Sequence, residues 1–275
     1  MQDFAGRVAV VTGAASGIGR ALALEAAGRG MRVALADVDE AGLEETRHLL
    51  TARGGHCVAR RTDVSEESDV VALAHLVWRE FGGCHLLFNN AGVLVGGRVW
   101  ERTLEDWRWV LGVNVFGVIH GVRVFVPRML AAGEPAHVVN TASVGGLLTG
   151  PFLSPYVVSK HAVVALSEAL RDELAAEHAK VGVSVLCPGA LRTGIWRSQR
   201  VRPPELAHTA PPSRDDERGF LEGMGASIDA SAEPSEIAPL VFEAVRAGRF
   251  WILPDPSFEP LIRQRMQGIL DALKP

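Results

Sequence analysis

The sequence predicts a doubly wound α/β fold, a parallel sheet with helices on both faces. Short Val-rich runs bounded by turn residues recur along the chain, and each is separated from the next by a segment whose apolar residues have helical spacing. That alternation marks a sheet buried on both sides. Hydrophobic residues make up 48% of the 275 residues, enough for one continuous core, so a single domain over 1–275 is expected.

The elements follow in order. The first run, Val8-Ala9-Val10-Val11, leads into Thr12-Gly13-Ala14-Ala15-Ser16-Gly17-Ile18-Gly19 and a helix over 18–29. A strand at 33–36 precedes a helix over 41–53, a strand at Cys57–Arg61 precedes a helix over 69–81, and a fourth strand occupies Leu86–Asn89. Thr103 and Asp106 have capping-box spacing and open one long helix over 104–131. After a strand at 137–141, Pro155 suits the first helical position behind Ser154 in a helix over 155–179. Strands at 183–187 and 250–253 flank a helix over 235–247. Between 194 and 234 the chain turns rich in Pro, Arg, Ser and Glu with little periodicity, which predicts a substrate lid.

A formal charge of -4 and a pI near 6.1 supply no basic stripe for a phosphate backbone, so nucleic acid is not an expected partner. Cys57, Cys84 and Cys187 are widely spaced and read as buried thiols in a reducing compartment. The nine histidines form no HExxH or paired-ligand pattern, and no metal is expected. The start of the chain leaves no room for a charged segment ahead of an apolar one. The uncharged stretch 135–159 is broken by Gly145, Gly146, Gly150, Pro151 and Pro155. A cytoplasmic protein without membrane attachment is therefore expected.

Strand, glycine turn and helix together predict a phosphate site. Gly13, Ser16, Gly17, Ile18 and Gly19 lie where backbone can approach a pyrophosphate at a helix N-terminus. Asp37 ends the second strand, where a carboxylate accepts hydrogen bonds from an adenosine ribose. It would repel a 2′-phosphate by roughly 4 kcal/mol at about 4 Å and an effective dielectric of about 20. Neither Ser16 nor Val38 offers an offsetting cation, so the expected cofactor is NAD.

With Asn89-Asn90-Ala91-Gly92 and Tyr156-Val157-Val158-Ser159-Lys160 added, the chain resembles the short-chain dehydrogenase/reductase family, strongly over about 6–193. GxxxGxG, YxxxK and the chain length are similar to its smaller oxidoreductase branch. The resemblance implies a seven-stranded Rossmann-type sheet and assembly into dimers or tetramers through the helices carrying Asn114 and Tyr156. It also implies that Asp63 and Val64 flank the adenine, that Asn90 and Gly92 line the cofactor channel, and that Pro188, Gly189 and Thr193 hold the nicotinamide end.

Tyr156 and Lys160 stand four apart on one helix face, so their side chains can meet at one substrate. A tyrosine acting as a base near neutrality needs its pKa lowered by about 3 units, roughly 4 kcal/mol. An ammonium about 5 Å away supplies on the order of 3 kcal/mol of that. No other tyrosine is present to substitute. By resemblance Ser143 hydrogen-bonds the substrate oxygen, with Thr141 a competitor of poorer spacing. Asn114 would hold a water linking Lys160 to solvent, or is a buried structural amide.

Val93, Leu94 and Val95, Leu147, Leu148, Phe152 and Leu153, and Ile195 and Trp196 are expected around the substrate. Their apolar character favours a hydrophobic or aromatic secondary alcohol, interconverted with its ketone. The stretches from Gly112-Val113-Asn114 to Val126-Pro127-Arg128-Met129, and Phe250-Trp251-Ile252-Leu253-Pro254, are similar to bacterial short-chain enzymes that oxidise benzylic alcohols of aryl ethers. Arg192, Arg197, Arg200 and Arg202 could meet an acidic substrate or stand solvated. An NADPH-dependent ketoreductase shares this pattern apart from Asp37. A non-catalytic NAD-sensing or scaffold protein would be expected to lack Tyr156 or Lys160.

Overall fold

The computed structural model describes residues 1–207 and 214–273. Seven parallel strands form one sheet: β1 (Val8–Thr12), β2 (Arg32–Asp37), β3 (Cys57–Arg61), β4 (Leu86–Asn89), β5 (Ala136–Thr141), β6 (Val181–Leu186) and β7 (Trp251–Ile252). Their order is β3-β2-β1-β4-β5-β6-β7. β1 pairs with β2 on one side and β4 on the other, so the crossovers reverse direction there and leave a crevice at the strands' C-terminal ends.

The strands are apolar along their whole length because both faces are covered. Ala9 and Val11 point into a core shared with α1 (Gly17–Gly28) and α2 (Glu40–Thr51), whereas Val8 and Val10 point into the opposite core, shared with α3 (Glu67–Phe81). Thr103 and Asp106 form the expected capping box at the start of α4 (Leu104–Leu111).

The long helix expected over 104–131 is not uniform. After α4 the chain makes a π-turn at Gly112–Phe116, then resumes as α5 (Gly117–Ala132). An extra residue turns the following side chains by about 100°, but the segment is apolar on nearly every side, which conceals the turn in the sequence. Leu104–Ala132 is long and apolar enough to cross a membrane by length and composition. Half of its most apolar window is buried in the fold, and α5 packs on α3.

The helix α6 (Ser154–Ala176) starts one residue before Pro155, with Leu153 rather than Ser154 at the cap. The described parts of the segment 194–234 are more ordered than its composition suggests. They hold short 3-10 turns at Gly194–Val201 and Pro204–Leu206, then α7 (Asp215–Asp229), while 208–213 of the expected lid lie outside the described residues. The helix α8 (Pro234–Arg246) buries Val241 and Phe242 beside Phe88 of β4, and α9 (Glu259–Asp271) follows β7 without any buried residue. Truncating Phe242 to Ala would leave a cavity worth about 3–5 kcal/mol.

Candidate active site

A cleft of about 1240 Å³ opens over the C-terminal ends of the strands. Single-ligand sites usually span about 300–1,000 Å³, so there is room for a large cofactor beside a second molecule.

One end is built by the glycine turn. Gly13 has φ +68°, and a Cβ there would lie 2.8 Å from Ala91 Cα, so only glycine fits between β1 and the turn after β4. Gly19 does not line the cleft. A Cβ on it would lie 2.0 Å from the Gly13 carbonyl oxygen, so its place in the motif comes from close packing of α1 on the turn. Gly13, Ser16, Gly17 and Ile18 line the cleft at the α1 N-terminus. That N-terminus has no acidic residue in its first turn and no side-chain cap from Ser16.

At the next strand end, Asp37 accepts from Ala15 N (2.9 Å) and Asp39 N (3.0 Å). Burial raises its carboxyl above the ordinary range, opposed by those amides. The sequence reading found no neighbouring cation, and here the structure corrects it. Arg61 is the cross-strand partner of Asp37 and lines the same cleft. Its guanidinium lies 3.7 Å from Glu40, so an acid partly claims it. Asp63 and Val64 also line this end. Asp63 caps a turn by accepting from Ser65 N and Oγ, and the Val64 carbonyl contacts His120 at 2.9 Å.

Asn90, Gly92, Pro188, Gly189 and Thr193 lie along the middle of the cleft. The Asn90 side chain donates to the Thr12 carbonyl at 3.0 Å and accepts from Thr141 Oγ1 at 3.3 Å, which ties the ends of β1, β4 and β5 together.

Ser143, Tyr156 and Lys160 converge on the cleft floor. Ser143 Oγ accepts from Gly145 N at 3.0 Å, which fixes the hydroxyl near the phenol. Lys160 Nζ lies 5.6 Å from the centre of the Tyr156 ring and donates to the Thr141 carbonyl at 2.8 Å. Thr141 therefore serves the site through its backbone. Burial drives the lysine down to about 8, and it raises the phenol, with the Ser143 hydroxyl pulling the other way.

Asn114 sits behind the cleft and does not line it. From the π-turn its Oδ1 accepts from Val93 N (2.8 Å), and its Nδ2 donates to the Val93 carbonyl (3.0 Å) and Ser159 Oγ (2.9 Å). Ser159 Oγ in turn donates to the Tyr156 carbonyl at 2.6 Å. The amide thus pins the loop after β4 to the catalytic helix. Its Oδ1 and Lys160 Nζ both lie within 4 Å of the point where a Cβ on Gly92 would stand.

The substrate side needs the most correction. Val93, Leu94, Leu153 and Ile195 line the cleft, but Val95, Leu147, Phe152 and Trp196 do not. Val95 belongs to a buried cluster with Trp109 and Val110, and Leu147 packs against the cluster that holds Val163 and Val164. Phe152 adopts φ +61° and backs onto Phe220, with ring centres 5.3 Å apart. Trp196 donates to Asp229 at 3.1 Å beneath the Arg197 guanidinium. Phe220, Met224 and Ile228 of α7 and Phe258 ahead of α9 line the cleft instead. The three α7 residues recur every fourth position behind Asp215-Asp216-Glu217, an acid-rich helix start that could have revealed them.

Among the described residues, no three His, Cys, Asp or Glu side chains group to hold a metal.

The short chain dehydrogenase family model matches residues 7–203. A short-chain dehydrogenase/reductase from Burkholderia phymatum, solved in complex with NAD, is 46% identical with a TM-score of 0.97, over 100% of this chain and 98% of that one. A 1-deoxy-11-beta-hydroxypentalenate dehydrogenase from Streptomyces exfoliatus is 37% identical over 96% of this chain and 88% of its own. A C alpha-dehydrogenase from a Sphingobium species is 30% identical over 100% and 89%, in line with the narrower resemblance read from the sequence. The seven-stranded parallel sheet of this chain matches the fold of that solved structure, and the chain belongs to the short-chain dehydrogenase/reductase family of oxidoreductases.

Proposed function

We propose that this oxidoreductase uses NAD to interconvert a hydrophobic or aromatic secondary alcohol and its ketone, with Tyr156 as general acid/base. The observation that carries the reading is the convergence of Ser143, Tyr156 and Lys160 between a glycine turn and an apolar compartment. The names of the hydroxypentalenate and C alpha relatives support alcohol oxidation.

The cleft fits a dinucleotide. Gly13 and Gly17 clear backbone space at the α1 N-terminus, Asp37 waits at the ribose position, and Pro188, Gly189 and Thr193 flank the nicotinamide position. When bound, the nicotinamide supplies the hydride acceptor or donor and, in its oxidised form, a positive charge. Ser143 holds the substrate oxygen, and Tyr156 takes or returns the hydroxyl proton. Lys160, fixed by the Thr141 carbonyl, favours the phenolate electrostatically and would hold the nicotinamide ribose when the cofactor is bound. Asn114 Oδ1, which with Lys160 Nζ borders the space beside Gly92, would hold a water through which Lys160 exchanges its proton with solvent.

A preference for NADP(H) would rest on Arg61. Asp37 and Glu40 stand beside it and oppose a 2′-phosphate, which favours NAD. The NAD complex of the Burkholderia relative supports the same choice. We read the described parts of the segment, 194–207 and 214–234, as a substrate lid because Ile195, Phe220, Met224 and Ile228 line the cleft. We place the protein in the cytoplasm on its three free cysteines, and as a homo-oligomer through exposed Phe116 and Val158 on the helices flanking the site.

Nicotinamide absorbance, followed with NAD and separately NADP across aryl and alicyclic secondary alcohols, tests the reading beside Tyr156→Phe. The variant should lose about 10²–10⁴-fold in kcat while retaining NADH affinity. A fully active Tyr156→Phe protein would refute the role.

A further inference from the structure

Four arginines lie in or beside the first half of the segment 194–234, and the structure separates them. Arg192 pairs with Glu233 at 2.7 Å, and Arg202 pairs with Asp106 at 2.7 Å. Arg197 contacts Asp229 at 3.3 Å and lies over the Trp196 ring. Arg200 has no carboxylate within 4.0 Å among the described residues, yet it lines the cleft. Its Nη1 donates to the carbonyls of Gly194 (3.2 Å) and Arg197 (3.4 Å). One arm of the guanidinium is thereby oriented, and the other donors have no acceptor among the described residues.

A chain of close approaches locates this cation. Thr193 Cγ2 stands 3.1 Å from where a Cβ on Gly17 would lie, and Arg200 Nη1 stands 3.3 Å from where one on Gly194 would lie. Gly17, Thr193, Gly194 and Arg200 therefore run in sequence from the uncapped α1 N-terminus to the segment that faces it. A helix N-terminus and a guanidinium both favour a polyoxyanion, and the guanidinium fork matches phosphate oxygens.

We propose that Arg200 is a ligand for the diphosphate of the bound dinucleotide, supplied by the segment that also covers the substrate side. This rests on the dinucleotide reading above. The same short turn carries Ser198, whose Oγ accepts from Leu94 N at 3.0 Å, so the arginine is mounted on a piece already anchored to the body.

Titration calorimetry with ADP-ribose, which carries the diphosphate but no nicotinamide, tests this apart from turnover. Wild-type protein that fails to bind ADP-ribose overturns the dinucleotide reading itself. If it binds, Arg200→Gln should weaken affinity about tenfold, the magnitude of a charge-assisted hydrogen bond reduced by exposure. The loss should shrink as salt rises, while adenosine affinity stays unchanged. Arg197→Gln should match the wild type. Arg200→Gln binding ADP-ribose as tightly as the wild type, or an equal loss in Arg197→Gln, defeats the assignment and leaves Arg200 free for an anionic substrate.

Discussion

Lys160 donates from Nζ to the backbone carbonyl of Thr141 at 2.8 Å, so the site's buried ammonium is held by a strand-end peptide rather than by a carboxylate. Such a cation has a cost, which appears as the fall of its pKa from 10.5 to about 8.

The first expectation concerns that cost. The folded pKa lies below the unfolded one, so between about 8 and 10.5 the unfolded chain binds more protons, and stability rises with pH across that window. At neutral pH the full penalty applies. Lys160→Met should therefore unfold at higher denaturant than the wild type at pH 7, by about 1–3 kcal/mol after the orphaned Thr141 carbonyl is counted, while losing activity. The advantage should fade by about pH 10. Denaturation curves at both pH values decide it, and a variant less stable at pH 7 would show that the lysine is compensated in the fold.

The second concerns cofactor choice. Asp37→Ser should move the ratio of kcat/KM for NADP over NAD upward by about 10²–10³, since it removes a repulsion of roughly 4 kcal/mol beside Arg61, partly screened by exposure. Ala15 N and Asp39 N lose their acceptor, so stability should fall by about 1–3 kcal/mol. An unchanged ratio would mean that Glu40 or another group reads the ribose.

These two sites differ in how legible they were. Gly13 to Gly19 and the Tyr156/Lys160 pair are local patterns, a turn between strand and helix and one helical turn, so the sequence alone identifies them. Arg61 stands 24 positions from Asp37 and becomes its neighbour only through the parallel register of β2 and β3. The direction in which a loop side chain points is less legible still. Phe152 and Trp196 look like pocket residues by type and position. Phe152 is turned behind the cleft by a left-handed backbone, and Trp196 by its hydrogen bond to Asp229. The π-turn under Asn114 is concealed for a third reason, because the helix around it is apolar on nearly every side and shows no stripe for a register shift to break.

The third expectation follows from the face α7 turns to the cleft. Phe220 lies there with Phe152 packed behind it, so Phe220→Ala should enlarge the apolar compartment. Discrimination between a bulky and a small secondary alcohol, measured as a kcat/KM ratio, should change by about 10–200-fold. A ratio that stays fixed would place the substrate away from α7.

The fourth concerns what holds α7 in place. Glu217 on α7 is fully buried, with Arg102 at 3.6 Å and Arg98 at 3.7 Å, and Arg102 also reaches Asp106 at 3.9 Å, which takes Arg202 at 2.7 Å. The acids thus join two parts of the segment 194–234 to the loop after β4. A buried ion pair adds little net stability when whole, but breaking it leaves uncompensated charge worth about 3–5 kcal/mol. Glu217→Leu should confine that loss to the docking of α7, because the sheet core makes no use of Glu217. Hydrogen exchange should rise across 194–207 and 214–229 while β1, β4 and β5 stay protected, and KM should rise more than kcat falls. Uniform loss of protection through the sheet would instead make Glu217 part of the global fold, and unchanged exchange would show that apolar contacts of Phe220 and Ile228 suffice to hold the helix.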